Sequence, residues 1–450
     1  MKSVKLKPRE LAVRILTEVE RGSYSNLSLN RHLTAEISRE DRALITELVY
    51  GVIKHRIRLD YVLSKFSKIG LNDINPIILN CLRVGLYQIL FLDKIPDYAA
   101  VNESVNIAKL YSKKAAGFVN GVLRNVIRSK DGIDYPDRVK DPLRYLVVYY
   151  SFPKWMIRRW LDLFGFEFTE SLCKAFNEKP RMCVRVNELK INKTGLQAFL
   201  DKEGVVHNPG LFLEEALYID DGPPLTELDS FKNGYFQPQD ESSMLVARAL
   251  GAASGETVLD VAAAPGGKTT HLAQLMKNSG RIYAWDIHPH RVQLLKETCQ
   301  RLGVSIVYPE VRDARVPDKN LFGKFDRVLV DAPCSGLGVI RRKPDIKWTK
   351  KPEDIPVLKR EQLQIIRVSS QYVKPGGILI YSTCSIEPEE NREVVKEFLK
   401  ENRDFDLDDI RPHLPEALSA DVKEQYGYIQ IYPNLHSIDG FFIARLKRIR

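Results

Sequence analysis

No run in the chain approaches the roughly 20 uninterrupted apolar residues that a membrane span needs, so no spanning helix is expected. The first twenty residues carry charges throughout (Lys2, Lys5, Lys7, Arg9, Glu10, Arg14, Glu18) and lack the apolar core of a secretory signal. A cytoplasmic protein without membrane contact is the expectation. The six cysteines, at positions 81, 173, 183, 299, 334 and 384, form no Cys-x-x-Cys pair, and no histidine cluster stands at metal spacing. Neither a metal site nor a disulfide framework is therefore expected, and the cysteines are read as reduced thiols. There is no Gly-x-Gly-x-x-Gly and no full phosphate loop, which argues against a dinucleotide or a nucleoside triphosphate.

What is present divides into three parts. At 450 residues and 44% hydrophobic, the chain is long enough for several cores. Residues 1–144 read as all-α, with apolar positions three and four apart (Leu11, Ile15; Leu44, Leu48; Leu82, Leu86, Leu90). Nearly all the charge excess sits there: residues 1–150 carry +9 of the net +10. Such an asymmetry suits a basic module gripping a polyanion, and equally a merely solvated surface. Residues 145–235 mix helical runs (Trp155 to Phe176, Thr194 to Lys202) with a strand-like Met182–Asn187, and are expected to form a small α+β connecting domain. Residues 236–450 open at a helix cap, Asp240 or Ser242, and then alternate strands with helices as a doubly wound α/β sheet requires. Two closing strands, 427–432 and 440–446, fit a class I (Rossmann-like) methyltransferase better than a dehydrogenase.

The chemistry gathers in this third part. After the first strand comes a small-residue loop, Ala262, Ala263, Ala264, Pro265, Gly266, Gly267, Lys268, which lets backbone amides approach a ligand at a helix N-terminus. Asp286 ends the second strand, where a carboxylate can accept ribose hydroxyls, and Asp313 follows the third, where it can face an adenine. The fourth strand delivers Asp331-Ala-Pro-Cys334-Ser-Gly and the fifth Ser-Thr-Cys384-Ser, both at the carboxyl edge where doubly wound sheets bind ligands. Two cysteines converging there suggest a thiolate that attacks a pyrimidine ring, because carbon 5 of cytosine is unreactive until a nucleophile adds to carbon 6. Residue types alone leave open which cysteine attacks. The stretch 341–351 holds six basic residues and a tryptophan, so Arg341, Arg342, Lys343, Lys347 and Trp348 are expected to contact RNA.

Asp-Val-Ala-Ala-Ala-Pro-Gly-Gly-Lys, Asp-Ala-Pro-Cys-Ser-Gly and Ser-Thr-Cys-Ser, with the acidic Glu387–Glu390 run, resemble the RNA (cytosine-5) methyltransferases of the Sun/Fmu type. The segments beginning at Val101 and Gly117 resemble the RNA-binding NusB-like helical domain, in which Asn and Gly residues let helices pack closely. With that start, the whole chain resembles the bacterial 16S ribosomal RNA members of the group. The resemblance implies S-adenosylmethionine over Ala262–Lys268, Asp286, Asp313 and Asp331, and 16S ribosomal RNA as partner, with an unpaired or flipped target cytosine. It also implies that Cys384 attacks, that Cys334 assists release, and that Asp331 can hydrogen-bond the cytosine. A monomer is expected. Rival readings remain: methylation of a protein or small molecule, disfavoured by the two cysteines and the lack of an Asn-Pro-Pro-Tyr motif, or an RNA-binding assembly factor without catalysis.

Overall fold

The computed structural model describes residues 7–34, 36–422 and 426–450. Lys2 and Lys5 of the charged start lie outside the described residues. Contacts divide the chain into two compact units: residues up to Asn177 together with Lys343–Thr349, and Glu178–Arg342 together with Lys350–Arg450.

The first unit is helical. Its helices include Pro8–Glu20, Arg39–Phe66, Pro76–Phe91, Asp97–Lys109, Lys113–Arg128 and Pro142–Tyr149. Starts are marked by side chains that accept an early amide: Ser38 from Asp41, Asn75 from Ile77, Ser112 from Ala115 and Asp141 from Arg144. The apolar stripes meet in one core that includes Ile15, Leu48, Leu82, Leu86 and Leu123. Gly117 and Gly121, expected to permit close packing, face open space; a side chain there would meet nothing within 4 Å. The close approaches lie elsewhere, at Gly51, where a Cβ would stand 2.0 Å from the Tyr87 ring, and at Gly85, 2.6 Å from Leu123. The expected break at 144 falls inside the helix Pro142–Tyr149, and this unit continues through Lys154–Phe164 and Phe166–Asn177. Gly165, at φ 75°, divides what the apolar pattern presents as one helical run.

The second unit holds two sheets. Strands β1 (Met182–Val186), β2 (Val206–Pro209), β3 (Ala216–Asp221) and β4 (Phe236–Pro238) form an antiparallel sheet in the order β2-β3-β1-β4. Because β4 pairs with β1, the small sheet reaches past residue 235. The larger sheet contains β5 (Thr257–Asp260), β6 (Arg281–Asp286), β7 (Val307–Val311), β8 (Phe325–Asp331), β9 (Val373–Thr383), β10 (Phe405–Leu407), β11 (Tyr428–Ile431) and β12 (Phe441–Arg448). Its order is β10-β12-β9-β8-β5-β6-β7, with β11 also paired to β12. Strands β7, β6, β5, β8 and β9 are parallel and β12 lies antiparallel against β9. The outer edge of β12 is shared, β11 covering Phe441–Ala444 and the short β10 covering Leu446–Arg448.

Alternation along the strands builds a core on each face. Val258, Leu329, Ile380 and Ile443 pack with the helix Glu241–Leu250 and with Leu272 and Ala273 of the helix Gly267–Leu275. Leu259, Val328, Leu379 and Phe442 pack with the helices Asp354–Ser370 and Arg392–Glu401. After β5 the chain builds β6 and β7 to one side, then crosses to β8 and β9 on the other. The carboxyl ends of β5 and β8 thus flank the point where strand order reverses, the position at which open α/β sheets take their ligands.

Candidate active site

The small-residue loop leaves β5 at Asp260 and enters the helix Gly267–Leu275. Asp260 is buried and braces it from within, accepting the Thr269 hydroxyl at 2.8 Å and the Ala262 amide at 3.2 Å. Burial, assisted by the nearby Asp331 charge, pushes Asp260 up to about 7 although its hydrogen bonds oppose the shift. Gly266 turns the loop at φ 108°, and a Cβ there would strike Leu295 at 2.7 Å. Behind the helix, the buried Arg185 of β1 donates to Gly267 O (2.7 Å), Thr270 Oγ1 (3.0 Å), Gln274 Oε1 (3.2 Å) and Gln239. Arg185 therefore fixes the helix that carries Lys268, a role invisible in the sequence because β1 lies eighty-two positions away from Gly267.

Asp286 ends β6, nearly buried, with one carboxylate oxygen accepting the His288 amide at 3.0 Å and the other 3.2 Å from Arg291. Its carbonyl takes the Arg312 amide at 3.1 Å, which draws the segment bearing Asp313 alongside. Asp313 is engaged by Arg315 at 2.7 Å, and that hydrogen bond above all holds its carboxyl below the usual range.

Asp331 closes β8 between two partners: Lys268 Nζ lies 2.8 Å from Oδ2, and Ser382 of β9 donates to Oδ1 at 2.9 Å. Burial works against the Lys268 charge. The Asp331 carboxylate outweighs it and, with smaller help from Cys384 and Asp260, holds the ammonium above its usual range.

Cys334 and Cys384, partly exposed at the ends of β8 and β9, bring their sulfurs to 3.1 Å. The hydrogen bond to Cys384, then burial, then the charges of Cys384, Glu390 and Asp331 push the Cys334 thiol well above the usual range. Cys384 has the Lys268 ammonium in its field, the kind of neighbour that favours a thiolate. The two sulfurs therefore share one site that also holds the Lys268 cation and the Asp331 and Glu390 carboxylates. Gly338 fits between strand ends: its amide donates to Cys384 O and its carbonyl accepts from the Gly440 amide, both at 2.9 Å. Cys81, Cys173, Cys183 and Cys299 are buried, and burial raises each thiol.

The expected RNA contacts are corrected at Arg341 and Lys347, whose side chains are buried. Arg341 and Arg342 are bound to Asp439 and Asp240, with Arg341 Nε 2.5 Å from Asp439 and Arg342 Nη2 2.6 Å from Asp240. Lys347 is buried in the helical unit, where its ammonium donates to Lys54 O (3.0 Å), Ser151 O (3.1 Å) and the Asn177 side chain (2.8 Å). Trp348 donates to Ile53 O at 2.9 Å beneath the Arg56 guanidinium. Arg342 and Trp348 are half-buried with partners inside the protein, and Lys343 is exposed.

A parallel sheet with an antiparallel closing strand, a small-residue loop after its first strand and carboxylates along one edge define a class I methyltransferase domain. Residues 247–447 match the family model described as 16S rRNA methyltransferase RsmB/F, residues 6–128 the NusB family, and residues 152–226 the RsmF/B-like ferredoxin-like domain. The chain is 43% identical over 445 residues to the probable ribosomal RNA small subunit methyltransferase B of Bacillus subtilis, covering 98% of each. It is 35% identical to the ribosomal RNA small subunit methyltransferase B of Vibrio cholerae, over 92% of this chain and 91% of that one. The crystal structure of NSun6 from Pyrococcus horikoshii with SFG, an S-adenosylmethionine analogue, aligns with TM-score 0.60 at 27% identity, over 67% of this chain and 99% of that one. The chain belongs to the 16S rRNA methyltransferase RsmB/F family. It is an rRNA methyltransferase whose cofactor is S-adenosylmethionine, and the donor set fits: methyl-sized side chains at Ala262–Ala264, amides at a helix start, and the Asp286 and Asp331 carboxylates for ribose hydroxyls and cationic groups.

Proposed function

We propose that this enzyme methylates carbon 5 of an unpaired or flipped cytosine in 16S ribosomal RNA, through a covalent bond between Cys384 Sγ and carbon 6. The supporting observation is the pair of sulfurs 3.1 Å apart at the ends of β8 and β9, with the Lys268 ammonium in the field of Cys384. The Cys384 thiolate adds to carbon 6, and the ring becomes an enamine that is nucleophilic at carbon 5. Ala262–Lys268, Asp286, Asp313 and Asp331 would hold S-adenosylmethionine, whose sulfonium would supply the methyl group as its S–CH3 bond breaks, leaving S-adenosylhomocysteine. Carbon 5 then carries both the new methyl and its original hydrogen. Loss of that proton to a base and departure of the Cys384 sulfur from carbon 6 restore the aromatic ring. Cys334, kept as a thiol against Cys384, acts in this release, and Asp331, with Ser382 and Lys268 fixing its two oxygens, orients the cytosine. A stacked base exposes neither face to a thiolate, so the target is single-stranded or flipped.

Mapping 5-methylcytosine in 16S ribosomal RNA, by bisulfite sequencing or mass spectrometry, in cells with and without the gene tests this. One cytosine position should lose its methyl group on deletion and regain it when the gene is restored. Methylation lost from another atom or another base would refute the carbon 5 chemistry.

A further inference from the structure

Two serines follow the two cysteines, Ser335 after Cys334 and Ser385 after Cys384, and one buried carboxylate receives both. Glu390 is 0% exposed. The Ser335 amide donates to its Oε1 at 2.8 Å, the Gln362 side chain donates to the same oxygen at 3.1 Å, and the Ser385 hydroxyl donates to Oε2 at 2.5 Å. The Ser335 hydroxyl is a fourth donor, to Oε2. Gln362 also donates to Pro333 O at 2.9 Å, so the Cys334 loop is gripped on both sides of the cysteine. The Tyr381 hydroxyl donates to the Glu390 carbonyl at 2.6 Å, tying the same residue back to β9. Four donor groups thus converge on its two oxygens. The neighbouring Asn391 secures only the Cys384 side, donating to Ser385 O at 2.9 Å and accepting from the Thr383 hydroxyl at 2.5 Å. Glu390 receives both cysteine loops at one carboxylate, beside a direct Ser335–Ser385 hydroxyl contact at 3.1 Å and the Gly338 amide to Cys384 carbonyl bond.

We propose that Glu390 is the positioning residue that sets the spacing of Cys334 and Cys384, holding the loops of β8 and β9 together through Ser335 and Ser385. It sets the spacing through the serines, and its charge also bears on the Cys334 thiol. As a device for the cysteine chemistry this rests on the covalent mechanism above. The clamp itself is testable without RNA.

The probe is oxidised glutathione applied to the full-length chain. A cysteine thiolate attacks the glutathione disulfide and releases one glutathione. The second cysteine attacks the mixed disulfide and releases another, so two protein thiols are oxidised as one glutathione disulfide is reduced. The second step reads sulfur spacing, and the double serine variant, which keeps the Glu390 charge, separates spacing from that charge's effect on Cys334. In the wild type, mass spectrometry should find the internal Cys334–Cys384 disulfide with little mixed disulfide. In Glu390→Gln, whose amide nitrogen faces donors, closure should slow about tenfold and mixed disulfide should accumulate. The double variant Ser335→Ala with Ser385→Ala, which keeps Glu390, should show the same delay and guards against a Glu390 variant that does not fold. Both should lose about 100-fold in kcat while S-adenosylmethionine affinity stays within about twofold, as displacement by about 1 Å at a reacting pair predicts. Closure at the wild-type rate in both variants overturns the proposal. So does cofactor affinity falling in parallel with kcat, which would make Glu390 a general support of the fold. If closure slows as predicted while deletion of the gene removes no 5-methylcytosine, the clamp stands and the assigned reaction falls.

Discussion

Lys268 Nζ sits 2.8 Å from Asp331 Oδ2, joining the small-residue loop after β5 to the end of β8. The same ammonium interacts with Cys384, so one cation serves both a carboxylate and a prospective nucleophile. In Lys268→Met the Cys384 thiolate loses that support, and its formation should require higher pH. The acidic limb of the single-turnover pH profile should move up by about one unit, with activity near pH 7 down about tenfold and largely recovered near pH 9. A profile that falls uniformly at every pH would show that Lys268 serves cofactor binding alone.

The two cysteines give a second expectation. Cys384→Ala should abolish methyl transfer and form no covalent adduct, with a loss of about 10⁴-fold or more. Cys334→Ala should keep the attacking thiolate but fail at release, accumulating an enzyme–RNA adduct on denaturing gels. An adduct in the Cys384 variant and none in the Cys334 variant would reverse the two roles.

The basic loop shows what a sequence conceals. The α/β alternation after residue 255 was legible because parallel strands buried on both faces leave dense apolar runs, and the cysteine and glycine motifs sit where those runs end. β10 was missed, since three residues carry too little pattern, and Gly165 broke a helix whose apolar spacing runs straight through it. Arg341, Arg342, Lys347 and Trp348 looked like a solvent-facing RNA strip because composition cannot reveal that carbonyls and carboxylates from distant segments close around them. The Glu387–Glu390 run served the sequence reading only as part of the resemblance, and residue type did not announce that Glu390 is buried among four donors.

Lys347 yields a prediction opposite to the one its charge suggests. Burial holds its ammonium well below the usual lysine range, yet three acceptors would lose its hydrogen bonds in Lys347→Met. That variant should lose about 2–4 kcal/mol of stability, seen as a lower thermal midpoint, with the salt dependence of RNA binding unchanged. Lys343→Met, at an exposed position, should leave the midpoint within about 1 °C. A weaker salt slope in Lys347→Met at unchanged stability would return that lysine to the RNA interface.

Asp260 supplies a pH-dependent test of the small-residue loop. Its carboxyl ionises near neutrality in the folded protein, pushed up to about 7 chiefly by burial, against about 3.9 in an unfolded chain. Between those values the folded state holds a proton that the unfolded state has lost, so stability falls as pH rises. The contribution favours folding below about pH 4 and is lost progressively toward pH 7, a swing on the order of 4 kcal/mol. Asp260→Asn has no such titration, but its side-chain oxygen can still accept from the Ala262 amide or the Thr269 hydroxyl. The midpoint of the wild type relative to Asp260→Asn should therefore drop steadily from pH 4.5 to 7.5 in thermal scans. A difference that is flat, or that grows with pH, would mean that Asp260 is ionised throughout and that the two hydrogen bonds outweigh its burial.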